Sequence, residues 1–261
     1  MIGTQLGVDV NEMKVESTLN VYWVQIPEEI NLSEWILDLD ILDKEERITY
    51  ERYLVDQKKI EFYSGRLLLK KILGQMLEIQ PKRVVFEKNQ FGKLYLHPKY
   101  VNEMKKGPIF FNLSHSKRIV TCVISSFDEA GIDVESITKN PLDVMPVVFV
   151  PQEQMLVEAE ESFVKKVEAF YRVWTRKEAV MKAIGKGFSL PPLSFAVPVH
   201  GERIMDENYL YYTFHPMDGE MISIAVRRTD KIEINFKCKE ITFSHLFSDD
   251  TQFKDVKYPL Y

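Results

Sequence analysis

The chain has 261 residues, 45% of them hydrophobic, which is enough apolar content for one large domain or two smaller ones. Its 34 Lys plus Arg against 39 Asp plus Glu give a net charge of −5, which argues against nucleic acid as the main partner because phosphate binding needs a concentrated basic surface. Cys122 and Cys238 have no His or Cys at ligand spacing, which argues against a disulfide framework or a zinc site and fits a reduced, cytoplasmic setting.

In chain order, residues 1–18 read as a polar extension without the basic-then-apolar pattern of a signal peptide. Residues 20–26 (NVYWVQI) are β-branched and aromatic, a strand pattern. Residues 43–56 are charged and helical in character. Over 57–78 the residues Ile60, Tyr63, Leu67, Leu68, Ile72 and Met76 recur at helix spacing, with no proline until Pro81. Short strand-like segments follow at 83–88, 93–96 (after a turn at Gly92), 109–113 and 118–125, and then a polar break at 127–130.

The second half has the same plan. A strand at 131–135 precedes a polar, proline-bearing stretch (138–151), a long helix at about 162–184, and strand candidates at 194–199, 208–214, 221–227 and 232–237. Residues 241–261 are mixed and read as a tail on the body. No apolar run approaches ~20 residues, so no membrane span is expected. The order of elements predicts an α+β protein of two halves, 19–128 and 129–240, with a boundary near 127–130.

Two segments carry candidate chemistry. In "GIDVE" (131–135), Asp133 and Glu135 point to the same face of a strand, with Cα atoms about 6.6 Å apart. On the helix 162–184, at about 100° per residue, Phe163, Val167, Phe170, Trp174 and Met181 form one apolar stripe. Glu178 falls inside that stripe, Lys182 on its rim one turn later, and Lys177 on the opposite rim. A carboxylate on a core-facing stripe is costly unless paired or bound to a cation. Either Glu178 pairs with Lys182 across one turn or reaches water at the edge of the stripe, with Asp133 and Glu135 the polar face of a half-exposed strand, or it faces a cleft and adds a third carboxylate to Asp133 and Glu135, a set suited to Mg²⁺.

"GIDVE" and "WTRKEAVMKAIGKGFSLP" (174–191), with Asp133 and Glu178 45 positions apart, resemble the two signature motifs of the 4′-phosphopantetheinyl transferases. "FGKLYL" (91–96) and "FFNLSHSKRIV" (110–120) resemble two further motifs of that family, in the same order. Chain length resembles the Sfp-type, pseudo-dimeric branch. The resemblance implies two similar α+β halves related by a pseudo-twofold, with coenzyme A in the cleft between them, a Mg²⁺ requirement, and an apo carrier protein as acceptor. The family moves the phosphopantetheine arm of coenzyme A onto a carrier serine and releases adenosine 3′,5′-bisphosphate, and members of this branch are expected to be monomeric.

By that resemblance Asp133, Glu135 and Glu178 would hold Mg²⁺, and Glu178 is the candidate general base. Lys182, Ser114, His115 and Lys93 would contact phosphates, and Lys177 the carrier or the pantetheine end. Trp174 reads as packing that fixes the helix. Ser114 and His115 sit in what reads as a polar turn, whose other role would be local capping. Glu46, Thr49 and Glu61 stand where the family often carries basic residues that grip the adenine end, with Arg47, Arg52, Lys58, Lys59 and Arg66 as nearby candidates. "GKGFS" (185–189) lacks P-loop spacing, and Gly185 or Gly187 reads as a helix C-terminal glycine. Two other readings stay open: a Mg²⁺-dependent phosphohydrolase acting on coenzyme A or a nucleotide, and a non-catalytic module that binds coenzyme A or a carrier.

Overall fold

Hydrophobic alternation along the strands builds the molecule outward from the contact between two sheets. The computed structural model describes residues 15–248 apart from 101, 103–106, 127–128, 139 and 229–231. In the first half β1 (Val15–Gln25) leads to helices α1 (Lys44–Arg52) and α2 (Asp56–Leu77). A short hairpin follows, β2 (Phe86–Lys88) and β3 (Leu94–Leu96), then β4 (Phe110–His115) and β5 (Ile119–Ser125). The second half comprises β6 (Ala130–Ser136), short helices α3 (Met145–Val148) and α4 (Pro151–Glu158), and the long α5 (Phe163–Ile184). It continues with β7 (Arg203–Met205), β8 (Tyr209–Phe214) and β9 (Glu220–Arg227). The strand β10 (Ile232–Glu240) and helix α6 (Phe243–Phe247) close the described chain.

Two four-stranded sheets form, in the orders β10-β1-β5-β4 and β6-β9-β8-β7. On β5, Val120, Cys122 and Ile124 face the core under α2, whereas Ile119 and Val123 face the other sheet. On β6, Ile132 and Val134 join that inter-sheet core with Ile222 and Ile224 of β9. The layers therefore run α2, first sheet, second sheet, α5, and each half lays one 22-residue helix on its own sheet.

Four differences from the sequence reading have physical causes. First, residues 15–18 are strand, because β10 supplies a parallel partner from Val15–Ile232 to Trp23–Glu240; residues 1–14 lie outside the described residues. Second, that same pairing places the strand expected to finish the second half in the first sheet, and Leu246 of the expected tail packs into the first core. Third, the charged helix 43–56 stops at Arg52 and a new helix starts at Asp56; Asp43 and Glu46 make the capping box that begins α1. Fourth, residues 194–199 are not a strand. The stretch 192–201 is instead held by buried cations of α5: Lys177 donates to the Pro192 and Phe195 carbonyls, and Arg176 to those of Pro198, His200 and Gly201.

Candidate active site

The site is built where β4 and β6, the free edges of the two sheets, run side by side against α5. Alternation turns Gly131, Asp133 and Glu135 toward α5. A Cβ at Gly131 would lie 2.0 Å from the Ala179 carbonyl oxygen and 2.5 Å from the Ala183 nitrogen. Glycine there lets the helix lie directly on the strand, and so brings Glu178 and Lys182 beside Asp133.

The opposing edge is sealed by side chains. Asn112 Oδ1 accepts from the Ile132 amide at 3.1 Å, and Ser114 Oγ accepts from the Val134 amide at 3.3 Å. These replace the ladder bonds that an edge strand would otherwise lack. The segment "NLSHS" is thus strand through His115, not the expected turn, and the reversal lies at Ser116–Arg118.

At the centre, Asp133 Oδ1 accepts from Ser114 Oγ at 2.9 Å and from Lys182 Nζ at 2.7 Å, and the same ammonium donates to Ser114 Oγ at 2.7 Å. Glu135 Oε1 accepts from the Trp174 indole at 3.2 Å. Trp174 therefore packs on the second core and also orients a carboxylate, a role the sequence reading did not contain. Glu220 was likewise missed. It is fully buried and accepts from Ser116 and Ser136 through its two oxygens, each at 2.7 Å.

Burial, followed by the Asp133 charge, pushes the carboxyls of Glu135 and Glu178 up to about 7 each, with Lys182 pulling the other way. Asp133 Oδ2 and Glu178 Oε1 are buried without a hydrogen-bond partner. Among the described residues no three acidic, histidine or cysteine side chains converge closely enough to enclose a metal. The donor set nevertheless fits a hard cation: the donors are carboxylate oxygens, two of them are orphaned, and burial with the nearby Asp133 charge destabilises the ionised forms of Glu135 and Glu178.

A cavity of about 460 Å³ opens beside this cluster. Lys182 of α5 and Gly185 just after it form one wall, and Phe62, Arg66, Lys93, Phe111 and His115 of the first half line much of the rest. Asp133, Glu135 and Glu178 do not line it; Lys182 joins them to it. The hairpin β2–β3 fastens the end of α5 across the seam. Lys93 Nζ donates to the Ala183 carbonyl at 2.8 Å, and Asn89 Nδ2 to the Gly185 carbonyl at 2.8 Å. Gly185 ends α5 with φ 72°, as the sequence reading allowed.

The other expected contacts are dispersed. Arg66 lines the cavity and pairs with Glu46 at 3.0 Å, and burial holds its guanidinium below the usual arginine range. Arg47 pairs with Asp40 at 3.0 Å away from the cavity, and Arg52 is exposed at the end of α1. Lys177 is corrected outright. It is fully buried, its ammonium 2.9 Å from Glu153 Oε2 and bonded to the Pro192 and Phe195 carbonyls, so it cannot meet a carrier or coenzyme A. The wheel put it on a rim with no sign that residues 192–201 cover that rim. Phe163, placed in the stripe, is exposed at the helix start.

Fold and site together define a two-half α+β enzyme with a carboxylate–lysine centre on the seam. Residues 129–215 match the model of the 4′-phosphopantetheinyl transferase superfamily, and residues 29–127 match that of the 4′-phosphopantetheinyl transferase N-terminal region. The 4′-phosphopantetheinyl transferase gsp of Aneurinibacillus migulanus is 30% identical over 177 residues, covering 68% of this chain and 70% of that protein. A putative 4′-phosphopantetheinyl transferase of Synechocystis is 32% identical over 182 residues, covering 69% and 68%. Sfp of Bacillus subtilis is 24% identical over 182 residues, covering 70% and 77%. The chain belongs to the 4′-phosphopantetheinyl transferase superfamily, in its Sfp-type branch, and is an enzyme of that class.

Proposed function

We propose that this enzyme transfers the 4′-phosphopantetheine of coenzyme A to a serine hydroxyl of an apo carrier protein, of the acyl or peptidyl kind, releasing adenosine 3′,5′-bisphosphate. The observation that supports it most is the Asp133–Lys182–Ser114 cluster, with its orphaned Asp133 Oδ2, joined through Lys182 to a cavity lined by residues of both halves.

Coenzyme A would lie with its nucleotide end among Phe62, Arg66 and Phe111 and its pyrophosphate toward Lys182, whose ammonium is bonded to Ser114. Lys93 and His115 are proposed phosphate contacts from the cavity wall. Asp133, Glu135 and Glu178 would hold Mg²⁺, which when bound neutralises charge on the pyrophosphate.

The chain's own groups supply the remainder. Lys182 offers a cation to the phosphate oxygens while anchored on Asp133. The carrier serine approaches Glu178, whose Oε1 has no other partner and whose carboxyl, at about 7, is poised near neutrality. Glu178 takes the serine proton as the hydroxyl oxygen attacks the phosphorus next to pantetheine. The bond from that phosphorus to the bridging oxygen breaks, and the electron pair leaves with adenosine bisphosphate.

No helix among the described residues is long and apolar enough to cross a membrane, and Cys122 and Cys238 are free thiols. Both support the reading of a cytoplasmic enzyme, monomeric because its two halves form the cleft within one chain. Incubation with apo carrier, coenzyme A and Mg²⁺ tests the function: the carrier should gain one phosphopantetheine by mass. No gain across acyl and peptidyl carriers would refute it.

A further inference from the structure

Glu61 is a carboxylate with no solvent exposure set in the wall of the cavity. Its position follows from how α2 meets β4. At Gly65 a Cβ would stand only 3.1 Å from the Leu113 side chain, so the helix lies close on the strand. Glu61 is about one turn before Gly65, and His115 is two residues beyond Leu113. Gln57 Nε2 also donates to the Lys117 carbonyl at 2.7 Å, tying the turn after β4 to the same helix.

Glu61 Oε2 receives two donors, Lys58 Nζ at 2.6 Å and His115 Nδ1 at 3.2 Å. Burial alone would raise this carboxyl, but hydrogen bonds and charge from His115 and Lys58 outweigh it and leave the group below its ordinary value. An ionised carboxylate is costly at a buried helix position, and packing of α2 does not require one. What it does hold is His115 and Lys58.

The His115 side chain is 42% exposed and lines the cavity, with Nδ1 committed to Glu61. Among the described residues Nε2 has no hydrogen-bond partner. The other cations of the wall are mostly engaged: Arg66 with Glu46, Lys93 with the Ala183 carbonyl, and Lys182 with Asp133. Among the described residues His115 Nε2 and Lys88 carry no such partner, so they can meet a ligand without first giving one up.

We propose that Glu61 is a positioning residue for coenzyme A: by holding Nδ1 of His115 it fixes the ring so that Nε2 is presented to a phosphate of the bound coenzyme. A histidine with both nitrogens free samples both tautomers and several ring orientations. A carboxylate accepting from Nδ1 fixes the ring plane, so that Nε2 is the nitrogen left to face the ligand. The inference rests on the coenzyme A site proposed above.

The test is steady-state kinetics of the full chain, with coenzyme A varied at saturating apo carrier and Mg²⁺. Glu61→Gln should raise KM for coenzyme A about tenfold, the order expected for a weakened charge-assisted hydrogen bond, and leave kcat within about twofold. In a His115→Ala background the same substitution should add no further change to KM. If Glu61→Gln folds too poorly to assay, Glu61→Asp, which keeps the charge and shortens its reach, is compared in the same two backgrounds. A KM unchanged by the substitution, or an equal rise with and without His115, overturns the proposal. A wild-type chain that modifies no carrier defeats the functional reading itself, whereas an active one whose KM ignores Glu61 defeats only this inference.

Discussion

The Lys182 ammonium lies 2.7 Å from Asp133 Oδ1, and this ion pair fastens the long helix of the second half to the edge strand that faces the first half. Asp133 is almost fully buried and Lys182 is partly exposed, so the pair has a dry end and a wet end. Replacing Lys182 with Met should leave the Asp133 charge uncompensated. Stability is expected to fall by about 1–3 kcal/mol, less than for a fully buried pair because the lysine reaches solvent. Added Mg²⁺ should restore more melting temperature in this variant than in wild type. Transfer rate at low coenzyme A should fall about a hundredfold. Thermal melts with and without Mg²⁺, beside kcat/KM, check all three.

Glu178 carries a pH signature. Its folded-state carboxyl is raised to about 7 from an ordinary 4.5, so the fold prefers it protonated. Stability from this group is full below pH 4.5 and declines as pH rises through about 7, since the native state binds more protons over that window. Without divalent cation, the protein should lose about 2 kcal/mol between pH 4.5 and 8 from Glu178 and Glu135 together, after discounting for partial exposure. Glu178→Gln should flatten that slope and melt higher than wild type at pH 8 in chelator. An identical slope in wild type and variant would show that Glu178 does not carry it.

Lys177 separates structure from chemistry. Its pair with Glu153 is fully enclosed and bridges α5 to α4 and to the loop at 192–195. Burial holds its ammonium below the usual lysine range despite the Glu153 charge. Lys177→Met should cost about 3–5 kcal/mol by stranding the carboxylate. Protein that remains folded at low temperature should keep its wild-type KM for coenzyme A. A large KM change in a stable variant would restore the sequence expectation that Lys177 touches a substrate.

Gly131 sets how closely α5 sits on β6. Gly131→Ala forces a methyl against the Ala179 carbonyl, so helix and strand must part. A loss of about 2–3 kcal/mol is expected, with kcat reduced more than KM because Glu178 and Lys182 retreat from Asp133 together. Denaturant unfolding and steady-state rates measure the two effects. Full activity with lowered stability would separate the close approach from catalysis.

The centre was legible because its signals are local. Asp133 and Glu135 share a face by strand alternation, and Glu178 and Lys182 are one helical turn apart. The carboxylate on an apolar stripe was the cue that something had to satisfy it. What could not be read is set by distant chain. Lys177 looked like a rim residue until the loop at 192–201 covered it, and Glu153 lies 24 positions away. Val15–Ser17 looked like polar extension because its partner, β10, comes from the far end of the sequence. Ser114 looked like turn chemistry, since the edge amide of Val134 that it satisfies belongs to the other half. Trp174 could be placed on its stripe, but not its indole on Glu135.

The carboxylates beside Lys182, Glu178 above all, are the groups expected to perform the transfer. The direct measurement is the rate at which an apo carrier gains phosphopantetheine mass, under single turnover with coenzyme A and Mg²⁺ saturating, for wild type and Glu178→Gln. A loss of about a thousandfold or more is expected in the variant, with coenzyme A still bound as judged by calorimetry. A variant that modifies the carrier within about tenfold of the wild-type rate would contradict it.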